Sequence, residues 1–352
     1  MQCRHWVCLA CGTAAACLSE RDPVALRPYV AEPPISAPAT RWLLAYAGNS
    51  EVFPYRTIHF QRLIAQMDTL GQPRSWLFGG AIMLAMYAPS GRVFTTWVGG
   101  QPANGADWSE YLDSLFVPGA VLSRLDSAIS VLSGPLGSPP EPFRVSVMIP
   151  YPDPGIDTLT FGGRRYDFTS IEGRSEAATA FIDDVVNRFR AAGLPQLQLD
   201  GFYWLLEEAP SADSAVIARV ATVVHSDGLR LLWIPYYAAE NWDHWQQLGF
   251  DAAWLQPNYF FDPTIPDSRL DSAAIMAMGH GMGMEVEFDS RLVLDPTFSN
   301  RLTPYLTTLA AHPVLTAREM AVYEGVGGLI RLERFHQPAF EALYQQLVDV
   351  LH

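Results

Sequence analysis

Short apolar runs alternate with segments of helical periodicity along the chain from residue 41 onward, and this alternation occurs eight times. The runs end in turns rich in Gly, Pro, Asn or Asp, which is typical of strands that lead into helices. They cover residues 41–47, 75–88, 143–151, 199–208, 229–236, 252–259, 284–289 and 319–323. Eight successive strand–helix units predict an α/β fold, the (β/α)8 or TIM barrel, as a single domain over residues 41–352.

An open, doubly wound sheet is the main alternative architecture. Such a sheet usually carries a Gly-rich phosphate-binding loop directly after its first strand. The chain has neither a G-x-G-x-x-G motif nor a P-loop motif. The closed barrel is therefore favoured, and no cofactor is predicted.

The connection after the second strand covers residues 92–142 and is longer than the others. It contains a possible extra strand at residues 93–98, and one or two helices between Trp108 and Leu132. We interpret it as an elaborated crossover of the barrel. Further helices are predicted at residues 57–70, in a segment capped by Ser175, and at residues 338–351.

The N-terminal residues have the features of a bacterial export signal. The apolar run 6–16 follows a polar start and is too short to span a bilayer. Small residues precede Cys17, as at a lipoprotein cleavage site, so residues 1–17 are predicted to be a signal peptide with lipidation at Cys17. The site lacks the Leu that usually stands three positions before this cysteine, and plain secretion is therefore the alternative.

Residues 18–40 are rich in Pro and Ala and are predicted to form a tether. The remaining cysteines, Cys3, Cys8 and Cys11, also lie in the leader, so the domain itself has no disulfide and no cysteine-based metal site. We expect an exported protein, either a cell-envelope lipoprotein or a secreted one. Membrane contact is expected only through a lipid at Cys17, because no later apolar run reaches 18 residues.

Charge and motif content argue against several functions. The formal net charge is −14, and an acidic surface repels phosphate, so nucleic acid is not expected as a partner. The chain has no H-E-x-x-H motif for a zinc hydrolase and no G-x-S-x-G elbow for a serine nucleophile. No metal site is predicted, although a metal held by Asp and Glu at the barrel mouth stays open as an alternative.

The seventh strand carries three acids. Glu285, Glu287 and Asp289 share one face by period-two alternation, and the apolar residues between them share the other. The apolar face suits the helix layer, so we expect the acids to point into the barrel. Glu287 lies nearer the mouth than Glu285 and is the candidate catalytic residue. The alternative is an internal salt-bridge layer, for instance with Arg291 or Arg41.

The fourth strand also ends in acids, Glu207 and Glu208. Alternation sends neighbouring residues to opposite faces, and Asp200 has the same parity as Glu208, which favours Glu208 as the inward acid. Strand ends often bulge, however, so parity is weak evidence at this distance. We expect the other acid of the pair to cap the next helix or to form a surface ion pair.

Polar and aromatic residues at the other strand ends complete a candidate carbohydrate site. Amides and carboxylates bind sugar hydroxyls, and flat rings stack on sugar faces. The candidate substrate-binding residues are Asp200, Tyr203, Trp204, Glu208, Tyr236, Gln256, Asn258, Tyr259, Glu285, Asp289 and Tyr323. Among them, Trp204 and Tyr259 are predicted to stack on sugar rings.

Five ordered motifs resemble a bacterial family known as domain of unknown function 4855. They are Gly201-Phe-Tyr-Trp204 with Glu207, Trp233-Ile-Pro-Tyr-Tyr237, Gly249-Phe-Asp251, Leu255-Gln-Pro-Asn-Tyr259 and Glu285-Val-Glu-Phe-Asp289. The likeness spans most of the chain from residue 41. It implies a fold and a site position rather than a substrate, and its regular glutamate three residues after the Trp favours Glu207 over Glu208.

At a coarser level, acids at the ends of strands four and seven are similar to the large barrel superfamily of retaining glycosidases. That resemblance implies that Glu207 is the general acid/base and Glu287 is the nucleophile. The superfamily usually has Asn directly before the strand-four acid, whereas Leu206 stands there in this chain. The departure leaves the mechanism, retaining or inverting, open.

These observations lead to the hypothesis of an exported glycoside hydrolase whose partner is a carbohydrate substrate, with Glu207 and Glu287 as its catalytic pair. Retention requires carboxyl groups roughly 5–5.5 Å apart, and inversion requires roughly 6.5–9.5 Å. A non-catalytic carbohydrate-binding or cell-envelope barrel is the alternative from another class, and a metal-assisted hydrolase is a third. The sequence does not specify the sugar, the linkage, exo or endo action, or the oligomeric state.

Overall fold

A computed structural model describes residues 40–47, 53, 55–325 and 327–352 of the chain. The predicted signal peptide, the lipidation of Cys17 and the tether up to residue 39 lie outside these described residues. They stay predictions from the sequence.

Eight parallel strands close into a barrel, as predicted. Because each strand pairs with the strands before and after it in the chain, the order around the barrel is sequential and β1 pairs with both β2 and β8. The strands are β1 Arg41–Tyr46, β2 Gly80–Leu84, β3 Phe143–Ile149, β4 Leu197–Trp204, β5 Arg230–Trp233, β6 Ala252–Leu255, β7 Gly283–Glu287 and β8 Met320–Tyr323. The fold is therefore a TIM barrel, whose active sites lie at the C-terminal ends of the strands.

Helices surround the barrel and cover the apolar outward face of its strands. The longer helices are Thr57–Ile64, Gly105–Phe116, Val121–Leu136, Ile171–Ala192, Ser214–Ser226, Ser268–Gly279, Leu302–Ala311 and Pro338–Leu351. Shorter helices are Trp245–Leu248, Arg291–Leu294, Pro313–Thr316 and Gly328–Arg334, with 3-10 turns at Thr96–Val98, Ser211–Asp213 and Trp242–His244. The last long helix has the bounds that the sequence predicts.

The helix predicted at residues 57–70 is wrong in its second half. It ends at Ile64, and Ala65–Met67 pairs with Pro73–Trp76 in an antiparallel hairpin. Asp68 stabilises the turn, because its side chain accepts the backbone N–H groups of residues 70 and 72. Local turn chemistry therefore overrides the helical spacing of the apolar residues.

The crossover after β2 differs from its prediction in one respect. Two helices are present in it, but the strand predicted at residues 93–98 does not form. Val93 makes only isolated bridges to Tyr87 and Pro102, and Thr96–Val98 is a single 3-10 turn. This turn brings an aromatic side chain, Trp97, to the C-terminal end of the barrel.

The helix after β3 begins earlier than predicted. Its N-cap is Ser170, which accepts the N–H of Gly173, whereas Ser175 lies inside the helix and donates to the carbonyl of Ile171. A hairpin of Thr158–Phe161 and Arg164–Asp167 precedes it. The hairpin is amphipathic, and its buried side chains pack on the neighbouring helix.

The stretch Gly105–Leu136 is long and apolar enough to cross a membrane by length and composition alone. In the structure it forms two helices interrupted at residues 117–120. Each helix has one buried face, which includes Trp108 in the first and Leu125 in the second. The apolar character of this stretch is therefore used in packing against the barrel.

The N-terminal end of the barrel is filled by indole rings and by an ion-pair cluster. Arg230 donates to Glu319 at 2.8 Å and to Asp200 at 3.4 Å, and Arg144 lies 3.6 Å from Asp200. The indole N–H of Trp42 donates to Glu319 at 3.3 Å. The partly buried acids at this end are thus neutralised by arginines of the same layer.

Asp200 therefore does not line the candidate site, and its prediction as a substrate-binding residue is wrong. The register between β3 and β4 shifts after Val145, whose partner is Leu199, while the next residue pairs with Gly201. Asp200 is the extra residue at this bulge. Because a bulge changes which face each later residue points to, the parity comparison of Asp200 with Glu208 does not hold.

We predict that Gly201→Ala strongly destabilises the barrel. A Cβ at this position would lie 1.9 Å from the carbonyl oxygen of Arg230, a backbone atom that cannot move away without separating β4 from β5. The free energy of unfolding, measured with urea, is expected to fall by more than about 3 kcal/mol. The matched control is Gly134→Ala in a helix, where a Cβ meets nothing within 4 Å and a change below about 1 kcal/mol is expected. Equal effects of the two substitutions would contradict this account.

Candidate active site

Three glutamates at the C-terminal end of the barrel are close enough to influence one another's charge. Glu285 and Glu287 lie on β7 and are 1% and 0% exposed. Glu207 follows the end of β4 and is partly exposed. The negative charges of Glu287 and Glu207 both act on Glu285, and that of Glu287 acts on Glu207. The fold thus brings together the acids of strands four and seven.

Both glutamates of β7 face the barrel interior, as the alternation predicts. Glu285 is in register with Ala321 and Glu287 with Tyr323 on the neighbouring strand. Gly283, with the same parity, lies against the indole of Trp254 inside the barrel, because a Cβ there would be 2.4 Å from that ring. Residues two apart on a strand share a face, so the acids point to the same interior.

Glu287 has one carboxylate oxygen that is held by donors and one that is not. Its Oε2 accepts the hydroxyl of Tyr305 at 2.6 Å and the backbone N–H of Tyr259 at 3.3 Å. Its Oε1 is buried and has no hydrogen-bond partner. Burial raises the pKa of Glu287 to about 7, although the hydrogen bonds from Tyr305 and Tyr259 favour the ionised form and limit the rise.

The surroundings of Glu207 favour its protonated form. Burial of its carboxyl, and secondly the negative charge of Glu287, raise the pKa of Glu207 to about 8. Its Oε2 is buried without a hydrogen-bond partner, and its backbone carbonyl accepts the N–H of Tyr236 at 3.1 Å. At neutral pH this carboxyl therefore holds a proton that it can donate.

Glu285 is the deepest of the three acids. Burial, and then the charges of Glu287 and Glu207, raise the pKa of Glu285 well above its usual value. The predicted alternative of a salt-bridge layer is wrong for this acid. Arg41 donates to backbone carbonyls at the opposite end of the barrel, and Arg291 pairs with Asp289.

The second acid of strand four belongs to a rim around the mouth. Tyr236 donates its hydroxyl to Glu208 at 3.2 Å, and its ring stacks on Trp97 with centroids 5.9 Å apart. Trp97 is 37% exposed. Sequence reasoning missed Trp97, and the available signal was an aromatic residue in a loop rich in Gly, Pro and Asn.

The amides after β6 support Glu287. Gln256 and the backbone of Asn258 lie near Glu287 and favour its ionised form, which limits the rise of its pKa. Asn258 has a positive φ of 50°, which a Cβ-bearing residue rarely adopts, and its side chain accepts the N–H of Tyr237 at 3.1 Å. This strained turn points backbone donors at the carboxylate.

Two predicted stacking residues cannot stack on a sugar. Trp204 is 1% exposed and meets the ring of Tyr151 edge-on, and Tyr259 is also 1% exposed. The hydroxyl of Tyr259 donates to Asp267, and the guanidinium of Arg301 lies 3.7 Å from its ring centroid. Tyr259 therefore positions Glu287 through its backbone, and both stacking predictions are wrong.

Asp289 leaves the barrel interior. It follows the end of β7, and the Nε of Arg291 donates to both of its carboxylate oxygens, at 3.1 and 2.9 Å. Asp289 also accepts the backbone N–H of Arg291 at 2.8 Å. The predicted alternation ends with the strand, and a local turn pairs Asp289 with Arg291, while its role in substrate binding stays a prediction.

Tyrosines line the interior beside the acids. Burial and the charges of Glu207 and Glu285 raise the pKa of Tyr203, so its phenol stays neutral next to them. Tyr323 meets the ring of Tyr46 edge-on at 5.3 Å and is partly exposed. Tyr46 was missed by sequence reasoning, although its place at the end of the first strand was a usable signal. Tyr305 was missed because it lies on a helix.

Among the residues that the structure describes, no group of three or more His, Cys, Asp or Glu side chains could hold a metal ion. The three glutamates interact through charge, but their oxygens do not converge as metal ligands do. The metal-assisted alternative therefore has no ligand set in this part of the chain.

Fold and site together define a TIM barrel with an acidic interior at the C-terminal end of its strands. A family model, described as Domain of unknown function (DUF4855), matches residues 41–349, and the chain belongs to this family. No protein with a curated description matches the chain.

Solved structures that resemble the chain are barrels of low identity, and several are glycoside hydrolases. A glycoside hydrolase family 5 enzyme from Prevotella bryantii B14 has 10% identity and a TM-score of 0.45 over 92% of this chain and 100% of that chain. An intracellular xylanase from Thermoanaerobacterium saccharolyticum has 11% identity and a TM-score of 0.40 over 71% and 78%. A mutant tryptophan synthase alpha-subunit from Pyrococcus furiosus has 11% identity and a TM-score of 0.38 over 88% and 96%. At these values the reaction has to be inferred from the site itself.

We predict that Glu285→Gln changes how stability depends on pH. The pKa of Glu285 is raised in the folded state, whereas the unfolded carboxyl ionises near its ordinary value of 4.5. The wild type therefore loses stability as the pH rises above about 4.5. The variant lacks this loss, so at pH 8 its Tm is expected to exceed that of the wild type by about 2–4 °C.

The control for this prediction is Glu240→Gln, which makes the same chemical change at an exposed position. Glu240 keeps a lowered pKa through hydrogen bonds from Ser211. Thermal unfolding from pH 4 to 9 checks both variants. If the Tm of Glu285→Gln depends on pH in the same way as that of the wild type, the pKa of Glu285 is not raised in the folded protein.

Proposed function

We propose that the protein is a glycoside hydrolase that uses Glu207 as the general acid/base and Glu287 as the nucleophile. The observation that carries this proposal is the state of Glu287: one oxygen is held by Tyr305 and Tyr259, and the other has no partner. A fixed carboxylate with a free oxygen is what attack on an anomeric carbon needs. Glu207, with its raised pKa, supplies the proton.

The proposed reaction has two steps. The free oxygen of Glu287 bonds to the anomeric carbon while the glycosidic C–O bond breaks, and the leaving oxygen takes the proton of Glu207. Water then attacks the same carbon, gives its proton to Glu207 and releases Glu287. The product keeps the anomeric configuration of the substrate. Release of the inverted sugar would instead assign Glu287 as the base that activates water.

Rim residues supply the substrate surface in this proposal. Trp97 and Tyr236 form the exposed aromatic face, replacing the buried Trp204 and Tyr259. Glu208 and the side chains of Gln256 and Asn258 are the polar groups beside it. Flat apolar surface with a few polar groups at its edge is typical of carbohydrate sites.

The alternative of a non-catalytic carbohydrate-binding barrel has one observation in its favour. Glu287 and Glu285 are 0% and 1% exposed, so a substrate reaches them only if side chains at the mouth move. Binding of a glycan without turnover, even over long incubation, supports this alternative.

We predict that Glu287→Gln and Glu207→Gln abolish hydrolysis in different ways. A screen of polysaccharides with product analysis identifies the substrate first. Loss of the nucleophile should lower kcat by at least about 10³-fold on every substrate. Loss of the acid should lower kcat by about 10²- to 10⁴-fold on the natural linkage, but much less on an aryl glycoside whose leaving group needs no proton.

Circular dichroism confirms that each variant is folded, and Glu240→Gln is the charge-matched control that should keep full activity. If Glu287→Gln is as active as the wild type, Glu287 is not the nucleophile. If both variants lose the same fraction of activity on every leaving group, Glu207 is not the acid.

We predict that Trp97→Ala weakens substrate binding more than it slows the reaction. The substitution removes a partly exposed ring that rests on Tyr236 and carries no group that takes part in the proposed reaction. The KM is expected to rise about 3- to 10-fold with a smaller change in kcat. Trp97→Phe keeps a ring and should retain most of the affinity. An unchanged KM in Trp97→Ala would show that this surface does not bind substrate.

A further inference from the structure

The barrel has a layer of ionisable side chains at each end. In only one of these layers do basic side chains balance the acids. At the N-terminal end, the carboxylates of Asp200 and Glu319 meet the guanidinium groups of Arg144 and Arg230. At the C-terminal end, three glutamates meet no basic side chain in the described part of the chain. The same fold therefore neutralises the partly buried acids at one end and leaves the glutamates at the other end without a counter-charge.

The arginines on the described segments that follow β6 and β7 do not supply that counter-charge. The chain contains no lysine, so its 23 basic residues are arginines. The arginines on the segments after β6 and β7 are already used. Arg269 donates to the carbonyl of Pro257, Arg291 pairs with Asp289, and Arg301 donates to the carbonyl of Phe260 at 3.1 Å.

Three buried carboxylate oxygens are left without a hydrogen-bond partner. They are Oε2 of Glu207, Oε2 of Glu285 and Oε1 of Glu287. A buried acceptor that lacks a partner costs about 1–3 kcal/mol, and more when it is charged. Both glutamates of β7 are at least nine-tenths buried and point into the barrel. A ligand that brings donors and positive charge would satisfy the oxygen of Glu285, which the proposed reaction does not use.

We propose that the substrate supplies this charge, and that it is a sugar with a free amino group, such as a hexosamine residue. The inference rests on the proposed function. Glycoside hydrolysis needs two carboxyl groups, and Glu285 is the third. We assign Glu285 as the residue that binds the ammonium group of the substrate.

An ammonium fits this arrangement better than a metal ion. An ammonium has three N–H donors, and each can reach a different acceptor at about 2.8 Å. A metal ion needs oxygens that converge at about 2.0–2.6 Å, and the described residues contain no such group. The net charge of −14 also favours the approach of a cationic chain.

Binding to paired sugars tests the proposal. Methyl glycosides of glucosamine, galactosamine and mannosamine are titrated into the wild-type protein by calorimetry at pH 7.5 and low salt, each beside its N-acetylated form and its parent hexose. At least one free amine is expected to bind about tenfold more tightly than both neutral partners. Because the positive charge of a bound ammonium lowers the raised pKa of Glu285, binding should also release protons, seen as a heat that depends on the buffer.

Variants separate a specific site from general acidity. Glu285→Gln should lose the preference for the amine while it keeps the affinity for neutral sugars, and Glu240→Gln should keep both. No preference for the amine in any pair, including no binding at all, overturns the proposal. A preference that survives in Glu285→Gln overturns the assignment of this residue.

Hydrolysis assays separate this inference from the proposed function. One outcome is that the protein cleaves a neutral polysaccharide, that cleavage depends on Glu207 and Glu287, and that amines are not preferred. This outcome supports the proposed glycosidase function and contradicts the proposed amino-sugar substrate. The opposite outcome is that amines bind through Glu285 but no amino polysaccharide is cleaved. This outcome supports a cationic ligand and contradicts the proposed glycosidase function.

Discussion

Buried carboxyl groups without a counter-charge are the constraint on which the C-terminal end of this barrel depends. Glu207, Glu285 and Glu287 are withdrawn from water and repel one another, so ionisation of each one is costly. The surrounding groups respond to that cost. Tyr305 and the backbone of Tyr259 stabilise one oxygen of Glu287, which makes it the acid that ionises most readily in the site. Three similar side chains thereby acquire different chemical states.

The opposite end of the barrel shows that the fold can neutralise buried acids. Arg144 and Arg230 meet Asp200 and Glu319 within hydrogen-bonding or ion-pair distance, and the layer stabilises the structure by itself. Its carboxylates already have guanidinium partners, which reduces their capacity to bind a ligand. The unneutralised end has that capacity, because each of its three glutamates has an oxygen without a partner. Stability and ligand binding are therefore assigned to opposite ends of the strands, as is usual for this fold.

Several site residues follow from the sequence because a short-range rule governs them. Glu285 and Glu287 point inward because a strand alternates with period two, and β7 is regular over both. Other predictions failed where a local irregularity interrupts the rule. Asp200 is the extra residue of a bulge and lies outside the site. Asp289 lies in the turn after β7 and forms an ion pair with Arg291. Neither irregularity has a signal in the apolar pattern of the chain.

The sequence by itself determined the eight strand–helix units, the closed barrel and the two strands whose acids meet, because hydrophobic periodicity and chain connectivity leave few other ways to bury these residues. Only the tertiary structure decided which groups surround those acids. Trp97 comes from the crossover after β2 and Tyr305 from a helix far along the chain, and no spacing rule connects either to the strand ends. Burial and charge repulsion are sums over such distant neighbours, so the chemical states of the glutamates exist only in the folded barrel.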